Sequence, residues 1–511
     1  RNGYWDLYIL ELATGIVTRL TDTLEYDGAP SWSPDGLWVV YETYVNENLE
    51  IYIAPVDASQ PPIRLTENPA ADYAPAWSPD GRQIAFVSNR SGDAEIWLAN
   101  LDQADEESFR NLSNTPGDEV HPSWSHDGTQ LAWGAVQDGF HNIYIWDAAQ
   151  PLGEPRLVDG GDWPAFSPDG KTLLAGLYQP NQDYLTAYPS SQSGLVLLPV
   201  ALDGALHGLD WGVLQVQTAV LREQYRQAAL EIPKQLYQIS LAPTGEIPGR
   251  QQVIELPDVQ APQPYLHDFV DEAFNALRAR LAEEVGWDFL SSLENAYTPL
   301  TSPLDPGMGN SWLYTGRAFA VVTVPINAGW MAVVREDFGQ HTYWRVYLRS
   351  RYQDGSAGIP LHALPWDFNA RLGGDVLAYE QGGVLMDSLP TGYWVDLTRL
   401  AAAYGWERQP ALATWRSSYR AARFNEFVIT GGLDWRTAML ELYPKEVLIT
   451  PSPVVLPSNT PTRTPRWYQT PTPTNTLTPR PTLTPVSPIT TATRSPRLTP
   501  APSLTPTGDG G

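Results

Sequence analysis

Trp32-Ser33-Pro34-Asp35-Gly36 returns as Trp77-Ser78-Pro79-Asp80-Gly81, Trp124-Ser125-His126-Asp127-Gly128 and Phe166-Ser167-Pro168-Asp169-Gly170. The copies lie 45, 47 and 42 residues apart, and a weaker fifth, Leu209-Asp210-Trp211-Gly212, follows after another 45. A period of this length marks stacked units, each too small to bury its own core. After the Asp-Gly pair comes an apolar strand: Leu37-Trp38-Val39-Val40-Tyr41, Gln83-Ile84-Ala85-Phe86-Val87 or Gln130-Leu131-Ala132-Trp133. A polar turn then leads to an aromatic strand, Glu50-Ile51-Tyr52-Ile53, Glu95-Ile96-Trp97-Leu98 or Asn142-Ile143-Tyr144-Ile145-Trp146. A short closing strand ends in Arg64-Leu65-Thr66, Arg110-Asn111-Leu112-Ser113 or Arg156-Leu157-Val158. Four short strands per repeat predict one propeller blade per copy.

The motif has a local physical reason. Proline presets φ at the first central position of a turn, and glycine follows Asp where a positive φ is required. This assigns a structural role to Asp35, Gly36, Asp80, Gly81, Asp127, Gly128, Asp169 and Gly170. The aromatic before each turn (Trp32, Trp77, Trp124, Phe166) is expected to fill the wedge between neighbouring blades. Three of the 20 tryptophans stand at this place and contribute to the tryptophan excess.

These residues resemble the PD40 repeats of TolB-like propellers, with the signature Asp-x-x-Pro-x-Trp-Ser-Pro-Asp-Gly. Asp27 to Gly36 and Asp72 to Gly81 match throughout, and Glu119 to Gly128 matches with Glu and His substituted. Sialidase Asp-boxes fit less well, because they place a residue between Asp and Gly. The resemblance covers residues 1 to 257 and implies six blades. The opening strands then either close the ring with Leu236-Tyr-Gln-Ile-Ser-Leu241 or belong to a truncated first blade.

Five residues before the motif aromatic stand Asp27, Asp72 and Glu119, with Asp162 one position later in its copy. This point leads into the innermost strand, so the four carboxylates are expected around one mouth of the central channel. The resemblance implies a partner-peptide site there; no cofactor is assigned, although some propellers hold a cation such as Ca²⁺ at this mouth. The alternative is that each carboxylate caps its own turn by bonding nearby backbone.

Composition bounds the rest. Zero cysteine among 511 residues excludes disulfides, iron–sulfur clusters, thiolate zinc sites and a cysteine nucleophile. Acids outnumber bases 58 to 32, which argues against nucleic acid or an anionic membrane surface as partner. Residues 451 to 511 hold fifteen of the 47 prolines, five arginines and a single acid, Asp509. The other 450 residues therefore carry 27 bases against 57 acids, a net −30. The Thr/Pro tail cannot bury a core and is expected as a disordered stalk or linker, typical of extracytoplasmic proteins. The sequence opens at Arg1 inside a strand, so an upstream segment, and with it a signal or anchor, is expected. Membrane contact is expected only through such an anchor.

After Pro264 the period changes from 2 to 3.6. Leu266, Phe269, Val270, Ala273, Phe274, Leu277, Leu281 and Val285 share one helical face, ended at Gly286. Strands are expected at 319–324, 330–335 and 343–349, and helices at 395–404, 415–427 and 435–443. The fold class is thus multidomain: an all-β propeller (1–257), an α+β domain (265–450) and the tail (451–511). No Gly-x-Ser-x-Gly elbow or His-Glu-x-x-His motif occurs, and His267, His341 and His362 are scattered. No catalytic residue and no metal ligand is assigned. Ser311-Trp-Leu-Tyr-Thr-Gly-Arg-Ala-Phe-Ala320 resembles the Ser-x-His-x-x-Gly-x-Ala-x-Asp motif of D-alanyl-D-alanine metallopeptidases at Ser311, Gly316 and Ala318. Val395-Asp-Leu-Thr398 with Tyr404-Gly-Trp406 is similar to that family's C-terminal part. Both zinc-ligand positions hold apolar residues, Leu313 and Ala320, and no Trp-His pair follows near Phe424 to Phe427. The resemblance therefore implies a degenerate module without zinc chemistry.

Three functions fit this reading. The leading one is a non-enzymatic exported bacterial scaffold that binds a protein or peptide partner through the propeller. The second is a cell-wall peptidase or other hydrolase using residues 265–450, and the third is a structural surface spacer.

Overall fold

In the computed structural model, which describes residues 5–103, 105–115, 117–137, 139–213, 223, 251–302 and 310–448, each repeated turn joins two antiparallel strands. The chain opens with a two-stranded sheet, β1 (Tyr8–Leu10) and β2 (Val17–Arg19). Four complete four-stranded blades follow. The first is β3 (Asp27–Trp32), β4 (Trp38–Val45), β5 (Asn48–Pro55) and β6 (Ile63–Arg64), and the second β7 (Asp72–Trp77), β8 (Gln83–Ser88), β9 (Glu95–Asn100) and β10 (Arg110–Asn111). The third is β11 (Asp118–Trp124), β12 (Gln130–Gln137), β13 (Phe140–Asp147) and β14 (Arg156–Gly160). The fourth is β15 (Asp162–Phe166), β16 (Thr172–Gln179), β17 (Gln182–Pro189) and β18 (Leu197–Ala201). The Leu20 amide donates to Leu7 O as that of Leu65 does to Ile51 O, so β1 and β2 correspond to the outer two strands of a blade.

The turns repeat atom for atom. Ser33 Oγ donates to Asp35 Oδ1 (2.6 Å), the Leu37 amide donates to the same oxygen (3.0 Å), and the Trp38 amide donates to Ser33 Oγ (2.9 Å). The same three bonds recur around Asp80, Asp127 and Asp169. Gly81 has φ +76°, and the place of its missing Cβ lies 3.3 Å from Pro34 of the preceding blade. Turn chemistry and blade stacking thus meet at one residue.

Apolar strand faces close the wedges. Val40, Ile51 and Ile53 of the first blade pack with Ile84, Phe86 and Ala99 of the second. Each such aliphatic contributes about 1.5–3 kcal/mol of burial, opposed by ordering entropy. Trp124 and Phe166 are buried and Trp77 is half-buried, whereas Trp32 is 49% exposed. The difference follows from position: the described strands before β3 are two outer ones, and an innermost strand is what such a residue packs on. Leu209 to Gly212 carries no strand. Leu236 to Leu241 and the tail 451–511 lie outside the described residues.

In the second half, β19 (Val253–Glu255) pairs with β20 (Tyr265–His267). Helix α1 (Asp271–Val285) buries Ala273, Phe274, Leu277, Leu281 and Val285 and ends at Gly286, φ +81°. After β21 (Leu293–Asn295) and β22 (Ala318–Val321) comes the short α2 (Val324–Asn327), then the long hairpin of β23 (Met331–Phe338) and β24 (His341–Arg349). β25 (Trp366–Asp367), α3 (Val376–Gln381), β26 (Val384–Leu385), β27 (Trp394–Asp396) and α4 (Leu397–Ala403) follow. β28 (Glu407–Arg408), β29 (Glu426–Val428) and α5 (Trp435–Leu442) complete it. The main sheets run β21-β22-β29-β28 and β23-β24-β27. Asp396 and Asp434 cap α4 and α5 by accepting from the Arg399 and Thr437 amides. The helix expected over 415–427 is absent: a 3₁₀ turn, Tyr419–Ala422, leads into β29. Trp415 and Phe424 join Trp344, Trp366 and Phe368 in an aromatic cluster, and Arg423 takes φ +54°. Tertiary packing overrides the apparent helical spacing here.

Candidate functional site

Each innermost strand carries a β-bulge at the residue before its proline. Ala29, Ala74, His121 and Trp163 have φ between 45° and 55°, and the register shifts there in all four blades. A bulge frees an N–H from the ladder, and proline at the next position removes one that would need a partner. Two of the bulge amides are met by carboxylates. Glu42 Oε2 accepts from the Ala74 amide of the next blade at 2.7 Å, and Asp162 Oδ1 accepts from the Trp163 amide at 2.6 Å.

The two carboxylates are spatial counterparts. In register Gly134 on β12 stands where Glu42 stands on β4, and a Cβ at Gly134 would collide with Asp162 Oδ1. Glycine in the third blade thus leaves room for an acid supplied by the fourth. Both acids also face a histidine at 2.9 Å, Glu42 through His362 Nε2 and Asp162 through His121 Nδ1. The displaced position of Asp162 therefore has a counterpart in space, though not among Asp27, Asp72 and Glu119.

Those three lie where the innermost strands begin, and each is buried. Asp27 Oδ2 accepts from Thr23 Oγ1 at 2.8 Å, and Asp72 Oδ2 pairs with Arg90 at 2.7 Å. Glu119 accepts from Thr115 Oγ1. Burial raises Asp27, pushes Asp72 up to about 6 against the pull of Arg90, and with Glu95 pushes Glu119 up to about 8. Among the described residues no group of three or more His, Asp or Glu side chains is placed to hold a metal. On the turns at the opposite end, Asp35, Asp127 and Asp169 are exposed and held below the usual carboxylate range by their Ser hydroxyls.

The end where the innermost strands begin is covered by the second half. His362 reaches Glu42, which also accepts from Tyr26 Oη at 3.0 Å, and the imidazole is flanked edge-on by Tyr26 and Tyr73. Ile359, Leu389 and Tyr393 join Tyr26, Leu49, Ala71 and Tyr73 in one apolar cluster. Three blade hairpins take further contacts. The Gly392 amide donates to Tyr44 Oη (2.7 Å), the Gly339 amide donates to Gly139 O (2.8 Å), and Arg408 donates to Pro180 O (2.6 Å). Phe338 stacks on His141 with ring centres 5.2 Å apart. Burial alone would raise Glu42, but His362 holds it below the ordinary carboxylate range, and Glu42 in turn raises His362.

His267 and His341 take no part in this contact. Buried His267 is pushed down to about 3 by desolvation and by Arg317. In the peptidase-like stretch, Ser311 caps the 3₁₀ turn Trp312–Thr315 and Gly316 ends it at φ +67°. Leu313 and Ala320 are buried. Glu42 and His362 carried no repeat or motif that could have singled them out.

Residues 1–110 match the model of the TolB beta propeller domain, PD40. The N-terminal segment is a TolB-like propeller segment. Among solved structures, TolB from Acinetobacter baumannii is 26% identical over 37% of this chain and 49% of its own, with a TM-score of 0.33. Putative TolB from Agrobacterium tumefaciens is 19% identical over 39% and 75%, with a TM-score of 0.34. An oligogalacturonate lyase in complex with manganese is 14% identical over 42% and 63%, with a TM-score of 0.33. The chain thus spans about half the length of the Acinetobacter protein. No curated protein matches the chain. No helix of the described residues is long and apolar enough to cross a membrane.

Proposed function

We propose that the protein is a non-enzymatic, extracytoplasmic interaction scaffold that binds a protein or peptide partner through its propeller. The observation that carries this reading is that the propeller already holds a polypeptide segment: residues 359–362 of its own chain sit against Tyr26, Glu42 and Tyr73. A surface that seats one segment by aromatic edges and a buried carboxylate suits protein recognition. The TolB-like segment supports the same role, and the Thr/Pro-rich composition of 451–511 supports a place outside the cytoplasm. We take the ring as six-bladed, with further strands joining the four complete blades and β1–β2. We take residues 265–450 as a module whose work is to seat on the propeller.

The test is capture of envelope proteins on the immobilised full chain, followed by titration of each purified candidate. A partner that binds saturably supports the scaffold. A chain that retains no saturable partner, or that releases peptides from cell-wall fragments, contradicts it.

A further inference from the structure

The four turns at the opposite end from the second half share one backbone geometry but differ in the pair of residues behind each Asp-Gly. Arg82-Gln83, Thr129-Gln130 and Lys171-Thr172 occupy that place in three blades, and Leu37-Trp38 in the first. Leu37 is 62% exposed, so it gains little from burial where its counterparts are polar. Gln83 and Gln130 stand at the place of Trp38 in the next two blades. Between the first and second turns lies a cleft of about 370 Å³ lined by Trp38, Trp77, Pro34, Asp35, Asp80 and Gly81. Trp38 and Trp77 rest on the core between the blades and keep part of their surface open to the cleft. Asp35 and Asp80 are exposed at its rim and use only Oδ1 in their own turns.

We propose that this cleft binds an arginine- or lysine-bearing segment of the partner, the cationic side chain lying on the indole faces of Trp38 and Trp77 between the carboxylates of Asp35 and Asp80. The inference rests on the scaffold reading and gives its partner a chemistry. Indole faces attract cations, and carboxylates at the rim add charge-assisted hydrogen bonds. The net charge of −26 steers a basic segment toward the protein. Apolar residues beside the cation on the ligand would cover Leu37.

The probe is a fluorescein-labelled peptide, Gly-Ser-Arg-Leu-Arg-Ser-Gly, titrated into the full chain by polarisation, against the same peptide with Glu for Arg. The Arg peptide is expected to saturate and the Glu peptide to bind at least about tenfold more weakly. Trp38→Gln, the residue two other blades carry, is expected to weaken binding about tenfold in a chain that still unfolds cooperatively, and Trp38→Tyr, which keeps an aromatic face on the core, to restore most of it. The indole N–H resonances of Trp38 and Trp77 should shift with the Arg peptide in the unaltered chain, a readout independent of any variant. Equal binding of both peptides, undiminished binding to Trp38→Gln, or unmoved indole resonances would overturn the site. Should the cleft fail while a captured partner still binds saturably, the scaffold reading stands and only this assignment falls.

Discussion

His362 Nε2 lies 2.9 Å from Glu42 Oε1 across 320 residues of sequence, and joins the first blade to the second half of the chain. Glu42 is buried and bonded from three sides, by Tyr26, the Ala74 amide and His362, so loss of one partner leaves a desolvated carboxylate short of a donor. His362→Ala is expected to cost about 3 kcal/mol in urea unfolding at pH 6, the lower end for breaking a buried pair because His362 stays 30% exposed. A loss below about 0.5 kcal/mol would place the pair among ordinary surface contacts.

The pH dependence has two parts with definite signs. His362 is raised in the fold, so its contribution is complete below its unfolded value near 6.5 and fades as pH rises through the folded one. Glu42 is lowered, so its contribution is complete above the unfolded value near 4.5 and fades as pH falls through the folded one. The pair therefore stabilises most between about pH 4.5 and 6.5. Unfolding of His362→Gln should differ most from the unaltered chain within that window, and less as pH rises beyond the folded value of His362.

Glu119 works in the opposite direction. Burial and Glu95 raise it to about 8, so the fold favours its protonated form and loses stability as pH climbs from 4.5 to 8. Glu119→Gln keeps the shape and removes the titration. It should flatten that part of the stability profile and leave the variant more stable than the unaltered chain at pH 8; a variant that is less stable at pH 8 would refute the assignment.

Gly36 and Gly81 occupy the same turn position, with φ +70° and +76°, but only Gly81 faces Pro34 of the preceding blade. Alanine at either should cost about 1–2 kcal/mol through the left-handed backbone. Gly81→Ala should cost roughly 1 kcal/mol more, because the Pro34 ring must move. Equal thermal shifts for the two variants would mean that the turns do not stack.

These pairs show what was legible in the sequence and what was not. Turn chemistry is local, so Ser33, Pro34, Asp35 and Gly36 announced themselves and their three copies. The face of α1 and its stop at Gly286 were equally plain, since period and cap lie within one segment. The spacing of Asp27, Asp72 and Glu119 before the motif is visible in the sequence, whereas their partners Thr23, Arg90 and Thr115 come from loops that carry no repeat signal. Phe424 sat in a stretch with helical spacing because aromatic residues of a cluster and of a helix face look alike until Trp344 and Phe368 are brought near. Glu42 and His362 were invisible for the simplest reason: neither carries a local signal, and only the docking of the two halves makes them partners.

The central claim is that the second half seats on the end of the propeller where the innermost strands begin, and hydrogen exchange of two amides reads this directly. Gly339 N–H donates to Gly139 O at 2.8 Å and Gly392 N–H to Tyr44 Oη at 2.7 Å, each across the contact. Both are loop glycines in the second half that would exchange fast if this half stood free of the blades. With the halves docked, both amides are expected to be protected in the intact chain and to lose protection together as denaturant separates the halves. Exchange of both at the rate of open loop amides under native conditions would contradict it.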